Sequence, residues 1–219
     1  MRQTRRGVLA AIGATTAVGL AGCLGDDTPE TSYDCDLDEP DPVNELPQPA
    51  IGETDAPVTV DLYEDYTCGG CAAFATGPFE ELLAEFVETG DARFYHYDFP
   101  IPVDETWAYP IASAARAVQD TEGDGAFFEF SKGIYERFDD YSWQVVGDVA
   151  DDVGADPCAV IARGHHETYR AVSEAERTAG EAIGVPGTPT IVVEGTIVEY
   201  SSPAEAYDPI ASAIRDHLD

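Results

Sequence analysis

The sequence predicts an α/β domain: a mixed central sheet with helices on its faces and an all-helical block inserted between its two halves. Three observations carry this prediction. An apolar, β-branched run at 58–63 leads straight into a helical segment, and an aromatic, alternating run follows at 92–99. From about 105 to 182 no stretch alternates with period two. Sheet signals then return at 190–200, and an amphipathic helix closes the chain.

Residues 1–23 read as a targeting segment. The paired arginines Arg5-Arg6 precede a mild Ala- and Gly-rich apolar run at 8–21, a pattern that marks export of already folded proteins. The run is shorter than the ~20 apolar residues a membrane span needs. Leu20-Ala21-Gly22-Cys23 resembles a lipobox, in which Cys23 is lipidated, becomes the mature N-terminus and anchors the domain to the outer face of the membrane. The alternative for Cys23 is an accidental or buried thiol. An anchored chain is extracytoplasmic, where disulfides persist. Residues 24–50, dominated by Asp, Glu, Pro and Thr, read as an extended tether that buries too little apolar surface to fold. Cys35 lies in that stretch with no motif around it. Two readings stay open for it, a bond to Cys158 or a free thiol.

The domain itself is expected from 51 to 219. The strand at 58–63 hands over to a helix that Gly77-Pro78 should kink or restart. Phe79, Leu82, Leu83, Phe86 and Val87 then recur at helical spacing with glutamates between them, and Gly90 stops the helix. The strand at 92–99 ends at Pro100. Strand, helix and strand in this order form a βαβ unit with a parallel pair and a right-handed crossover. In the block at about 105–182 apolar residues return at i, i+3 and i+4, and Gly123, Gly125, Gly147, Gly154 and Pro157 divide it into helices of ordinary length. His165 and His166 fall there; neighbours on a helix point apart, so a capping or exposed role is expected rather than a ligand pair. Thr190 to Glu194, a turn at Gly195, and a return at 196–200 read as a hairpin. A last helix at about 203–218 puts Ala206, Ile210, Ala213 and Ile214 on one face.

Charge narrows the partners. Lys+Arg number 11 against 43 Asp+Glu, a formal net charge of −32, and Lys132 is the sole lysine. Such a field repels nucleic acid, so no nucleic-acid partner is expected. The carboxylates are spread along the chain rather than clustered, as on proteins from very salty surroundings. At about 1 M salt the Debye length is ~3 Å and their repulsion is screened.

The chemistry concentrates at Tyr66-Thr67-Cys68-Gly69-Gly70-Cys71, where the first strand becomes helix. A thiol at a helix N-terminus is open to solvent, and the unpaired N–H groups and positive dipole end there favour its thiolate, the reactive form. Thiol–disulfide exchange is the predicted chemistry, with Cys68 and Cys71 as the catalytic pair. A structural staple would close almost no loop, and a zinc site needs a second ligand pair. A copper metallochaperone or a peptide-holding chaperone using the same pair is the alternative, although no Met cluster or His motif flanks it.

The order of parts, namely Asp65-Tyr66-Thr67-Cys68-Gly69-Gly70-Cys71, a strand ending Asp98-Phe99-Pro100, a helical block, and Gly184-Val185-Pro186-Gly187-Thr188-Pro189-Thr190 before a hairpin and helix, resembles the thioredoxin fold, and within it the DsbA-like disulfide oxidoreductases. Pro189 follows Cys71 by 118 positions, whereas one helix, one strand, another helix and their loops need only about 45. The resemblance implies Cys68 as nucleophile, Cys71 as resolving thiol, and a cis Thr188-Pro189 loop that pairs with an extended substrate peptide. It further implies no cofactor, exported proteins as substrates and a membrane redox partner. The tether offers no periodic dimerisation segment, so a monomer is expected. Two departures stand out. Gly69-Gly70 replaces a pair in which strong oxidants carry a histidine, so the acidic surroundings are expected to push the Cys68 thiol up and weaken the protein as an oxidant. Leu62 occupies a place where relatives carry a buried proton-relaying carboxylate, for which Asp61, Glu64 or Asp65 would have to substitute.

Overall fold

The computed structural model describes residues 29–101 and 103–218. Among the described residues five strands form one sheet, in the order β1 (Ala50–Ile51), β3 (Ala92–Asp98), β2 (Val58–Glu64), β4 (Thr190–Val193) and β5 (Thr196–Ile197). Central β2 (Val58–Glu64) pairs in parallel with β3 (Ala92–Asp98) along its whole length, from Val58 opposite Ala92 to Glu64 opposite Asp98. Its other edge takes β4 (Thr190–Val193) antiparallel, and β5 (Thr196–Ile197) returns beside β4 through a turn at Glu194 and Gly195, both at positive φ. On β2 the alternation is plain: Val58, Val60 and Leu62 are wholly buried on one face. Phe94 of β3 joins them in the main core.

Helix α1 (Gly69–Ala75) starts directly after β2. It stops before Gly77, Pro78 opens α2 (Pro78–Leu82), and a π-helical turn at Leu83–Val87 carries the chain on to Gly90. Proline is accommodated there because the first helical position has no intrahelical N–H bond to lose. The expected helical block is five helices: α3 (Ala108–Glu122), α4 (Asp124–Tyr135), α5 (Trp143–Asp152), α6 (Pro157–His165) and α7 (Arg170–Ile183). Ser142 caps α5 through its hydroxyl, and the Asp156 carboxylate accepts the N–H groups of Cys158 and Ala159 at the start of α6. A 3₁₀ turn at Pro203–Glu205 and α8 (Tyr207–Asp216), with Ile210 and Ile214 fully buried, complete the domain. His166 is the C-cap residue of α6, and its Nε2 lies 2.9 Å from the carbonyl of Leu37, so its side chain holds the N-terminal stretch rather than capping a helix or standing exposed.

The tether reading of residues 24–50 is corrected from residue 29 onward. That stretch has no regular structure until β1 (Ala50–Ile51), which pairs antiparallel with β3, yet it is packed down rather than free. Tyr33, Cys35, Leu37, Val43 and Leu46 lie against the core, and the Val43 N–H donates to the Thr168 carbonyl at 2.9 Å. Cys35 is disulfide-bonded to Cys158 at the start of α6, which settles the two readings of that cysteine. A methyl group at Gly147 would come within 2.5 Å of the Tyr33 ring, so this glycine is what lets the strap sit on α5. Few but well-placed apolar residues and one covalent bond offset an ordering cost that composition alone made prohibitive. Cys23 and the paired arginines lie outside the described residues.

Candidate active site

The carbonyl end of β2 delivers the dithiol. Asp65 organises the turn: its Oδ1 accepts the N–H and hydroxyl of Thr67 at 2.7 and 2.8 Å, and its Oδ2 accepts the Ile101 N–H at 2.7 Å. Burial nevertheless pushes its carboxyl up to about 6. Cys68 is the N-cap of α1, half-buried, and its carbonyl accepts the N–H groups of Cys71 and Ala72. Cys71, one turn in, is fully buried. Both are thiols here, and the Thr188-Pro189 peptide beside them is cis. The four residues predicted within the described chain, Cys68, Cys71, Thr188 and Pro189, thus meet in one place.

The two thiols are driven apart in acidity. Cys68 is held down to about 5, first by the Cys71 thiol donating to its sulfur, which outweighs burial, then by Thr188 and by the N–H groups of Cys71 and Gly70. Burial is the main reason that Cys71 is pushed well up, with donation to Cys68 and the charge of Glu64 adding to it. In the dithiol the Cys68 Sγ donates to the Thr188 carbonyl at 3.3 Å, while the Thr188 hydroxyl oxygen is buried and unpartnered. Once the proton leaves, that hydroxyl is the group that can donate to the thiolate. The expected upward push on Cys68 is therefore corrected: the donors touch the sulfur, whereas the acidic surface acts through screening solvent.

Gly69-Gly70 also has a steric reason. A methyl group at Gly70 would stand 3.1 Å from Pro189 Cδ, 3.2 Å from Pro203 Cγ and 3.5 Å from Cys68 Sγ. The second glycine is the clearance that lets the cis-proline loop close on the sulfur.

Among the three candidate carboxylates, Glu64 is the one that shares a face with Leu62, one pleat further along β2. It is 6% exposed, its Oε2 lies 3.3 Å from His96 Nδ1, and its Oε1 has no partner. Asp61 lies on the other face, where burial and Glu194 raise it to about 6. Behind Glu64 runs a buried ionic chain that sequence reading missed. His96 Nε2 is 3.1 Å from Asp98 Oδ1; Arg116, wholly buried in α3, donates to Asp98 at 2.9 Å and to Glu176 of α7 at 2.6 Å. Burial alone would strip the His96 proton, but the hydrogen bonds its ring N–H groups donate to Asp98 and Glu64, and the charges of those carboxylates, lift it to about 9. Burial works against Asp98 too, and Arg116 with His96 holds it down to about 2. A signal existed: β3 alternation puts Phe94, His96 and Asp98 on the buried face, and Arg116 sits amid alanines of a buried helix, where a charge needs a partner. A cavity of about 40 Å³, lined by Glu64, His96, Ser131 and Tyr135, reaches the exposed Glu80–Lys132 ion pair, and the buried Tyr135 hydroxyl is also unpartnered. Among the described residues, no group of three or more His, Cys, Asp or Glu side chains is placed to hold a metal.

A family model described as thioredoxin matches residues 44–212. The chain belongs to the thioredoxin family. This thioredoxin-family chain is 24% identical over 177 residues to disulfide bond formation protein D of Bacillus subtilis, covering 78% of this chain and 77% of that protein. It is 31% identical over 170 residues to Na(+)/H(+) antiporter NhaA 1 of Mycolicibacterium vanbaalenii, and there it spans only 25% of the longer protein. Among solved structures, oxidised BdbD from Bacillus subtilis superposes with a TM-score of 0.70 at 25% identity, covering 82% of this chain and 99% of that one. Chlamydia trachomatis DsbA gives 0.68 at 21% identity, covering 82% and 97%. Coverage of nearly the whole of both structures means that the helical insertion is common to them. The protein is a thioredoxin-family disulfide oxidoreductase with the DsbA-type fold.

Proposed function

We propose that this protein exchanges disulfides with exported proteins through Cys68 and Cys71, outside the cytoplasm, tethered to the membrane by a lipid on Cys23. The observation that carries the reading is the split pair: a half-buried thiol held down to about 5 at a helix N-terminus, against a fully buried one pushed well up. A thiolate stabilised in this way favours the reduced enzyme, so disulfide donation is the favoured direction. In that direction a substrate thiolate attacks Cys68 Sγ of the oxidised pair. The new S–S bond forms as the Cys68–Cys71 bond breaks, and Cys71 leaves and takes up a proton. The second substrate thiolate then attacks the substrate sulfur of the mixed disulfide and expels Cys68 as its stabilised thiolate. Two electrons pass from substrate to enzyme, and a membrane redox partner would remove them.

Glu64 is the buried carboxylate whose charge acts on Cys71, and its unpartnered Oε1 suits it to pass the Cys71 proton to and from the small cavity. Thr188 and Pro189 are the docking loop, with the Pro189 carbonyl held by the Tyr200 hydroxyl. Along the described residues no helix is long and apolar enough to cross a membrane; attachment in this reading comes from the lipid alone. The test is the Cys68/Cys71 reduction potential measured against glutathione, alongside a Cys71→Ala variant. The variant should trap mixed disulfides with exported proteins through Cys68. A pair that does not cycle with glutathione sinks the proposal.

A further inference from the structure

Beside the nucleophile opens a pocket of about 280 Å³, lined by Thr67, Asp104, Phe138, Asp139 and Tyr141. Its position is fixed by the motif itself. Thr67 precedes Cys68, and the Phe138 ring is so close to Gly69 that a methyl group there would meet it at 3.6 Å. Gly69 thus borders the pocket on its Phe138 side. Hydrogen bonds and ring packing tie the walls to the site. The Tyr141 hydroxyl donates to the Tyr66 carbonyl at 2.6 Å, and the Tyr141 ring meets Phe138 edge to face at 5.8 Å between centroids. Asp104 accepts the Thr106 N–H at 2.8 Å, and its backbone carbonyl receives the N–H groups of Trp107 and Ala108. Two aromatic rings and two carboxylates, with no basic residue among the lining, form a cradle for a planar cation with an apolar stem.

We infer that this pocket receives an arginine next to the substrate's cysteine, so that the protein prefers thiols and disulfides flanked by a basic residue. The inference rests on the exchange reading and adds substrate choice to it. A peptide lying along the Thr188 loop with its sulfur at Cys68 would carry a neighbouring side chain past Gly69 into the pocket. The guanidinium would stack on Phe138 or Tyr141 while Asp104 and Asp139 take its N–H groups.

The experiment uses the reduced full chain in about 1 M salt, where a Debye length of ~3 Å leaves contact-range charges and screens the field of the whole protein. Two peptides differ in one residue, arginine or glutamate beside the cysteine, and each carries that cysteine as a mixed disulfide with glutathione. The Cys68 thiolate attacks the peptide sulfur and glutathione leaves as its thiolate. Cys71 then attacks Cys68 and releases the peptide thiol, so the enzyme dithiol supplies both electrons. The arginine peptide should show kcat/KM about tenfold higher, the sum of a cation–π contact and two exposed ion pairs. A D104N/D139N variant should bring the two peptides to within about twofold, and Asp139→Arg should reverse their order. Equal rates on the unaltered protein overturn the inference. So does a preference that survives both variants, since it then comes from the overall charge. Glutathione release from neither peptide instead overturns the exchange reading beneath it.

Discussion

The sulfur of Cys68 lies 3.3 Å from the carbonyl oxygen of Thr188, its partner 120 positions along the chain. The same residue offers a buried hydroxyl that has no partner in the dithiol. Alkylation of Cys68 should therefore follow a titration centred at about 5. Replacing Thr188 by valine removes a donor to the thiolate, and should raise that midpoint by about one pH unit and make the pair less oxidising. Iodoacetamide kinetics against pH, read on a Cys71-retaining protein, check both.

Gly70→Ala should cost about 1–3 kcal/mol in the unfolding free energy and slow exchange, because its methyl group has to displace Pro189 or Pro203. Gly69→Ala, whose methyl group meets Phe138 at an ordinary 3.6 Å, should cost under about 0.5 kcal/mol. Urea unfolding of the two variants side by side separates the two glycines.

His96 ties stability to pH. Its ordinary value of 6.5 is lifted to about 9 in the fold. A raised value means that the folded state binds the proton more tightly, so this contribution is whole below about 6.5 and fades as pH rises through about 9. Glu176, raised from 4.5 to about 7 mainly by burial, acts with the same sign in its own, lower window. Urea midpoints of the oxidised protein, whose active-site sulfurs no longer titrate, should fall steadily from pH 5 to 10 in constant salt. Arg116→Ala leaves Glu176 buried without its cation and Asp98 with His96 alone, and should cost about 3–5 kcal/mol.

Cys35 and Cys158 are 123 positions apart, so their bond constrains the unfolded chain strongly, by up to ~5 kcal/mol in the chain-entropy picture. A double serine variant should lose about 2–5 kcal/mol. It should also expose residues 29–49 to protease, because the strap then depends on its scattered apolar contacts and a few hydrogen bonds. Limited proteolysis and urea unfolding read the two effects.

With a formal net charge of −32, the fold should loosen when counterions are withdrawn. A circular-dichroism melt in dilute buffer is expected to lie well below one in molar salt, and equal melting temperatures would refute this.

What could be read from the sequence was what chemistry or periodicity makes local. Cys68 and Cys71 announce themselves by spacing, Val58, Val60 and Leu62 by alternation, and the break at Gly77-Pro78 by a proline that no helix interior tolerates. Thr188-Pro189 was found through resemblance rather than through its own residues. The strap escaped because Tyr33, Leu37, Val43 and Leu46 are too sparse to form a periodic face; each is buried singly against a surface that other segments build. The ionic chain escaped for a related reason. His96, Arg116 and Glu176 look like ordinary polar residues until β3, α3 and α7 are packed, and the register of Glu64 opposite Asp98 is a property of the sheet. The acidity of Cys68 was misjudged because net charge is visible in a sequence and a hydrogen bond from Cys71 is not.

The strand order has a consequence in time. β2, which leads into the dithiol, is flanked by β3 on one side and by β4 on the other, and β4 begins 126 positions after β2 ends, so it is synthesised well after the dithiol. Until then one edge of the central strand is open, and the loop that faces Cys68 does not yet exist. A chain synthesised only as far as α7 therefore has Cys68 and Cys71 but not their assembled site. The reactive centre comes into being only when β4 closes the sheet.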